Sequence, residues 1–197
     1  MKLLYSSTSP YSSKVRMAAA HLGLKIEAIK VDTSADPAEL VDSNPLGKIP
    51  TLVTKKEGAV YDSRAIMQYF HRESGGNLYP KKNGRRTEAE VLEALCDGIN
   101  DCLLAIVYEK RFRPADMVYQ TWIDRQWGKV VRSLDHLEAN LPKTGKKLHG
   151  GHFALAAMLG YLALRFPGEW EEGRAKLAAW PVIFAKRFDD YGALKPQ

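Results

Sequence analysis

The alternation of apolar and polar positions along the chain changes character near residue 80. Before that point, short runs rich in β-branched and aromatic residues are separated by stretches with helical spacing. KLLYS reads as a first strand, and residues 10 to about 22 repeat their apolar positions at helical intervals. IEAIKVD gives a second strand and PAELVDSN a short connecting helix. After Pro50, TLVTK and AVYD are joined by KEG, the pattern of a hairpin, and a helix follows from residue 63 to about 74, closed by Gly75 and Gly76. The order βαβ, connecting helix, ββα predicts an α/β unit with a mixed four-stranded sheet and helices on its faces, because a βαβ crossover is right-handed and a hairpin adds antiparallel strands.

From Thr87 onward the period is helical throughout. Two long segments, RRTEAEVLEALCDGINDCLLAIVYEKRF and PADMVYQTWIDRQWGKVVRSLDHLEANL, are followed by helical patterns in HFALAAMLGYLALRF and WPVIFAKRFDDY. NLYPKKNGRR has the Pro, Gly, Asn and charge content of a connection. The expected organisation is therefore a first domain over residues 1–78, a linker at 79–86 and an all-helical domain over 87–197.

Composition narrows the class. With 197 residues, 45% of them hydrophobic, the chain can bury a core in each half, which argues against disorder. Its two cysteines, Cys96 and Cys102, lie six apart in one predicted helix and point in different directions, as packed thiols of a reducing compartment do. The opening stretch lacks the pattern of a signal peptide, and the longest apolar segment, FALAAMLGYLAL, is shorter than the ~20 residues that span a bilayer. A cytoplasmic protein without a membrane partner is expected. The net charge of +6 is scattered, with small clusters in PKKNGRR and PKTGKK and no stripe of Lys and Arg interleaved with aromatics. That distribution argues against nucleic acid and is compatible with a small anionic ligand.

Candidate chemistry starts at SPYS, residues 9–12, between the first strand and the first helix. Pro10 suits the first helical position, which makes Ser9 the expected N-cap and aims it, with the free backbone N–H groups, at any bound anion. Pro50 opens a strand inside NPLGKIPTLV, where an X-Pro bond is a candidate for the cis form. A cis bond there would turn the backbone N–H and C=O of Ile49 outward, ready to pair with an extended peptide; an ordinary trans proline is the alternative. In YDSRAIMQYF, Asp62 and Ser63 open a helix. Capping explains them locally, and the same placement lets Ser63 and the helix terminus hold a carboxylate while Asp62 receives an ammonium. Lys48 is either solvated or placed to reach a second carboxylate.

Together, SPYS, NPLGKIPTL and the Asp-Ser pair, in this order and followed by a helical half, resemble the glutathione S-transferase family over essentially the whole chain. SPYS is similar to the Cys-Pro-Tyr-Cys of glutaredoxins with both sulfurs replaced by oxygen, and Ser-Pro-aromatic resembles the serine-type transferases of bacteria and plants. The resemblance implies a thioredoxin-like first domain, glutathione as co-substrate, no metal, a small electrophilic second substrate and a homodimer. Residue by residue it implies that Ser9 donates to the glutathione sulfur, Ile49 pairs with the cysteinyl backbone, Pro50 is the cis-proline, and Asp62 and Ser63 hold the γ-glutamyl end, with Lys48 near the glycyl carboxylate. Tyr5, Thr8 and Ser12 are neighbouring hydroxyls that compete with Ser9 for the sulfur.

Tyr11, Tyr108, Arg111, Phe112 and Trp122 are candidates for the electrophile pocket, although aromatics at helical spacing also build cores. The Ser/Thr-x-x-Asp cap of the family's buried helix is missing if His152 and Leu155 of HFAL stand at its positions. HGGH, residues 149–152, looks like a metal motif but has no third ligand nearby and reads as a loop. Reductase or peroxidase chemistry through an enzyme sulfur needs a cysteine in the first turn, which holds none; a member that only binds and associates is the remaining alternative to a transferase.

Overall fold

Leu3 and Leu4 are both wholly buried, which puts strand β1 (Lys2–Tyr5) inside the sheet. In the computed structural model, which describes residues 1–145 and 147–197, β1 runs parallel to β2 (Glu27–Lys30), with Leu3 opposite Ala28. On its other side it runs antiparallel to β3 (Thr51–Thr54), with Leu3 opposite Leu52. Strand β4 (Gly58–Val60) completes the hairpin and the order β2-β1-β3-β4. Helix α1 (Pro10–His21) crosses from β1 to β2 and packs on α3 (Ser63–Glu73), while the short α2 (Ala38–Ser43) touches β3. This is the mixed four-stranded sheet that the pattern predicts, in the thioredoxin-like form that the resemblance implies.

The second half is helical: α4 (Asn83–Phe112), α5 (Gln120–Ala139), α6 (Gly150–Arg165), α7 (Ala175–Ala185) and α8 (Tyr191–Leu194). Every residue of α6 from Gly150 to Leu162 is buried, packed between α1 and α4. Its apolar character all the way round is that of a central core helix. Among the described residues no helix is long and apolar enough to cross a membrane.

Several boundaries differ from those the pattern predicts. Helix α4 begins at Asn83, so half of the stretch read as a linker is helical; Gly84 falls in the first turn, where its cost to a helix is small. Helix α5 starts only at Gln120, after a 3-10 turn at Ala115–Met117. Helix α7 starts at Ala175 and carries Pro181 inside it. Its start is set from a distance, because the Glu138 carboxylate of α5 accepts the Lys176 and Leu177 N–H groups at 3.2 and 2.7 Å.

The cap of α6 is present, three residues earlier than HFAL placed it. His149 is the N-cap and His152 the third helical residue. The His149 N–H donates to His152 Nδ1 at 3.2 Å, and His152 Nε2–H donates to the Lys143 carbonyl at 3.2 Å, which fixes a neutral tautomer. The two rings stack with centroids 3.7 Å apart. The glycines between them permit close packing: a Cβ on Gly150 would meet the Tyr79 ring at 2.6 Å, and one on Gly151 the Ala89 carbonyl at 2.6 Å. HGGH is thus a helix start built from a histidine pair.

Candidate active site

A cleft of about 380 Å³ opens between the sheet half and helices α4 and α6. Ser9, Tyr11, Lys48, Ile49, Pro50, Asp62, Ser63, Tyr108 and Arg111, all singled out in the sequence, line it. Phe112 and Trp122 are not among its lining residues: they are 67% and 41% exposed, and Phe112 meets the Tyr108 ring edge-on outside the cleft. Three more α4 turns bring Asp101, Leu104 and Val107 to the wall, and α6 adds Tyr161 and Arg165.

Ser9 is the N-cap of α1, with φ −78° and ψ 122°, and its Oγ accepts the Ser12 N–H at 3.2 Å. An oxygen that accepts there retains its own O–H for a second partner. Of the competing hydroxyls, Thr8 lines the cleft but pairs with Ser6 Oγ at 3.1 Å. Tyr5 lies under the Arg16 guanidinium, 4.4 Å from its ring centroid, and Ser12 is wholly buried; neither is a lining residue. Tyr11 donates to Asp101, and burial together with that carboxylate pushes its phenol far above the usual tyrosine range, so it is a neutral donor.

The loop opposite Ser9 is held by Asn44, which is 2% exposed. Its Nδ2 donates to the Lys48 carbonyl at 2.8 Å and to Thr51 Oγ1 at 3.2 Å, and its Oδ1 accepts the Leu46 N–H at 3.1 Å. Gly47, at φ 58°, turns the chain back toward the cleft. The Ile49–Pro50 bond is cis, as is Tyr61–Asp62. Asp62 caps α3, and both capping N–H groups, Arg64 at 2.9 Å and Ala65 at 3.5 Å, fall on Oδ1, which leaves Oδ2 for a ligand. Ser63 is the buried first residue of that helix, and its own N–H is not among those that Asp62 takes up.

Known proteins share this fold. Residues 8–73 match the family model "Glutathione S-transferase, N-terminal domain" and residues 120–180 the corresponding C-terminal domain. The chain is 34% identical over 170 residues to the uncharacterized GST-like protein YibF of Escherichia coli K12, covering 84% of this chain and 83% of that one. The chain belongs to the glutathione S-transferase family. Among solved glutathione S-transferases, that of Methylobacillus flagellatus KT with GSH bound superposes with a TM-score of 0.90 at 35% identity, over 100% of this chain and 99% of that one. A Pseudomonas fluorescens Pf-5 glutathione transferase family member with bound S-(propanoic acid)-glutathione gives 0.84 at 31%, covering all of both chains.

Behind the cleft this member of the family carries a buried charge network. Lys14 of α1, 1% exposed, donates to Glu93 at 3.0 Å and to both oxygens of Asp97 at 2.9 and 2.8 Å. Arg64 Nε reaches Asp97 at 3.0 Å from α3, and Tyr79 donates to Glu93. Burial pulls the Lys14 ammonium down, but Asp97 and Glu93 outweigh it and hold the pKa above its ordinary value. Both cysteines of α4 are free thiols; burial raises Cys96 strongly and Cys102 less, which favours the protonated form of each. Among the described residues no group of three or more His, Cys, Asp or Glu is arranged to hold a metal.

Sequence reading missed Asn44, Asp101, Tyr161 and Arg165. Asn44 stood inside a quoted motif, and its signal was the NPLG turn it opens. Asp101 lies seven residues before Tyr108 and so on nearly the same face of α4, a spacing that points it to the cleft once Tyr108 is placed there. Tyr161 and Arg165, one turn apart on a helix that reads as pure core, gave no local signal.

Proposed function

We propose that this chain is a serine-type glutathione transferase: it binds glutathione along the Ile49 loop and the α3 terminus and uses Ser9 to hold the bound sulfur as a thiolate for attack on an electrophilic small molecule. The observation that carries this is the Ser9 hydroxyl, which accepts the Ser12 N–H at the positive end of α1 and keeps its proton to donate into the cleft. The relatives with glutathione bound supply the ligand. Asp62 Oδ2 suits the γ-glutamyl ammonium, the Ser63 N–H and hydroxyl at the positive end of α3 its carboxylate, the Ile49 backbone the cysteinyl amide, and Lys48 the glycyl carboxylate.

A free thiol, pKa ~8.5, is mostly protonated at neutral pH. A hydrogen bond to a charged group contributes about 1.5–3 kcal/mol, and a helix N-terminus adds about 0.3–1 kcal/mol. At about 1.4 kcal/mol per pKa unit the two lower the bound thiol by roughly one to three units, to about 7 or below, so that thiolate becomes a large share of the bound species at pH 7. The thiolate sulfur then forms a bond to the electrophilic carbon, the leaving group departs with the bonding pair, and the thiol proton goes to solvent. The neighbour that holds S-(propanoic acid)-glutathione, a thioether, supports conjugation over disulfide exchange. The same reading takes the protein as a cytoplasmic homodimer with separate sheet and helical domains; exposed apolar side chains such as Leu46 and Val91 are available for association.

Thermal unfolding with millimolar glutathione tests the reading, because a ligand that binds only the folded state raises Tm. A rise of a few degrees, together with turnover of 1-chloro-2,4-dinitrobenzene, is the expected outcome. No shift and no turnover would leave a binding or interaction role in place of the enzyme.

A further inference from the structure

Two arginines stand on the helical wall of the cleft without a carboxylate. Arg111 of α4 and Arg165, the last residue of α6, both line the same cavity as Ser9, and both also line a smaller cavity of about 240 Å³ whose lining includes Glu169. Among the described residues neither arginine is in an ion pair, although eight ion pairs are formed elsewhere, and the Arg165 Nε is buried with no hydrogen-bond partner. The carboxylates that line the main cleft face other groups: Asp101 accepts from Tyr11, and Asp62 caps α3 through Oδ1. A buried guanidinium N–H with no acceptor is costly, and natural structures rarely leave one unless a ligand completes it. The fork of donors on a guanidinium matches the two oxygens of a carboxylate. Tyr108 and Tyr161 stand beside the arginines on the same two helices and offer a ring face and a phenol. Burial raises the Tyr161 phenol, and Arg165 and Arg111 oppose that shift.

Resting on the transferase reading above, we propose that Arg111 and Arg165 form an oxyanion subsite in the electrophile half of the cleft, so that the second substrate is a small electrophile bearing a carboxylate. Glutathione has carboxylates of its own, but the features suited to them, Lys48 and the α3 terminus, are on the sheet half, whereas these arginines belong to the helical half. Arg165, with its buried and unpartnered Nε, contributes the larger share; Arg111 is exposed and is the more easily replaced by water.

A matched pair of substrates tests this: 4-chloro-3,5-dinitrobenzoate and its methyl ester, which react at the same carbon. In both, the glutathione sulfur bonds to C4, the C4–Cl bond breaks, chloride leaves with the electron pair and the thiol proton passes to solvent. After correction for the uncatalysed rates, the wild-type protein is expected to favour the acid over the ester by about tenfold or more in kcat/KM, the scale of a hydrogen bond to a charged group. Arg165→Gln removes that preference while the ester rate stays within about twofold; Arg165→Lys keeps part of it, and Arg111→Gln has the smaller effect. Equal losses on acid and ester, or no preference in the wild type, overturn the subsite. A fall in glutathione affinity in Arg165→Gln, read by calorimetry, also overturns it, by assigning the arginine to glutathione instead. The corresponding acid and ester conjugates of glutathione are titrated against the same proteins without turnover. The acid conjugate is expected to bind about tenfold tighter to wild type and equally to Arg165→Gln, and equal binding to wild type counts against the subsite even if the transferase reading itself has failed on activity.

Discussion

The Ser9 oxygen already receives the Ser12 N–H at 3.2 Å, so the contribution left for it to make to a ligand is its proton. Removing it separates two effects that one side chain combines. Ser9→Ala is expected to raise the pKa of bound glutathione by roughly one to two units, the worth of one hydrogen bond to a charged group, and to lower turnover at pH 7 by about tenfold. Glutathione affinity stays nearly unchanged, because Asp62, Ser63 and the Ile49 backbone hold the rest of the peptide. Titration of the thiolate absorbance in the complex reads the first quantity, and an unaltered thiol pKa would take Ser9 out of the role. Loss of the cap also costs about 0.5–2 kcal/mol of stability, so the comparison is made well below Tm. What could be read from sequence at this scale was what short-range rules govern: a serine before a helix-opening proline, a proline opening a strand, an aspartate before a helix. Asn44, Asp101 and Arg165 take their meaning from partners far along the chain or, for Arg165, from the lack of one.

Elements were legible wherever one face repeats and illegible where a distant group decides. The mixed four-stranded sheet followed from the strand pattern, but the start of α7 depends on the Glu138 carboxylate, and the start of α6 on a histidine pair that resembles a metal motif more than a cap. That pair makes a pH prediction. Burial, chiefly, lowers His149 to about 3 and His152 to about 4, from an ordinary value of 6.5. A histidine held neutral in the fold contributes stability that is fully present above its unfolded pKa and is lost as pH falls toward the folded one, since the unfolded chain binds the extra proton. Between pH 7 and pH 5, His152 alone accounts for a loss of about 2 kcal/mol. His152→Ala, which removes the acceptor for the His149 N–H, is expected to cost about 1–3 kcal/mol at pH 7 and clearly less at pH 5. Urea unfolding at the two pH values measures it, and a constant difference would show that the cap does not titrate.

Across the whole molecule, the network counts four charges: buried Lys14, Glu93 and Asp97, and Arg64, whose side chain is half exposed. It joins α1, α3 and α4, so its balance links the half that carries Ser9 to the half that forms the far wall of the cleft. Lys14 sits above its ordinary pKa, which keeps its contribution constant across neutral pH and loses it only as pH rises through the folded value; it does not enter the acid response of the histidines. Deleting one partner of such a group is far more costly than deleting a balanced pair, because the survivor is left buried and uncompensated. Lys14→Met is therefore expected to lower stability by about 3–5 kcal/mol. Lys14→Met with Glu93→Gln restores neutrality, since Arg64 still faces Asp97 and the glutamine oxygen still accepts from Tyr79. The double variant should recover at least half of the loss in chemical denaturation. If it is no more stable than Lys14→Met alone, packing of the lysine stem rather than charge balance holds the two halves together, and the coupling between them is steric.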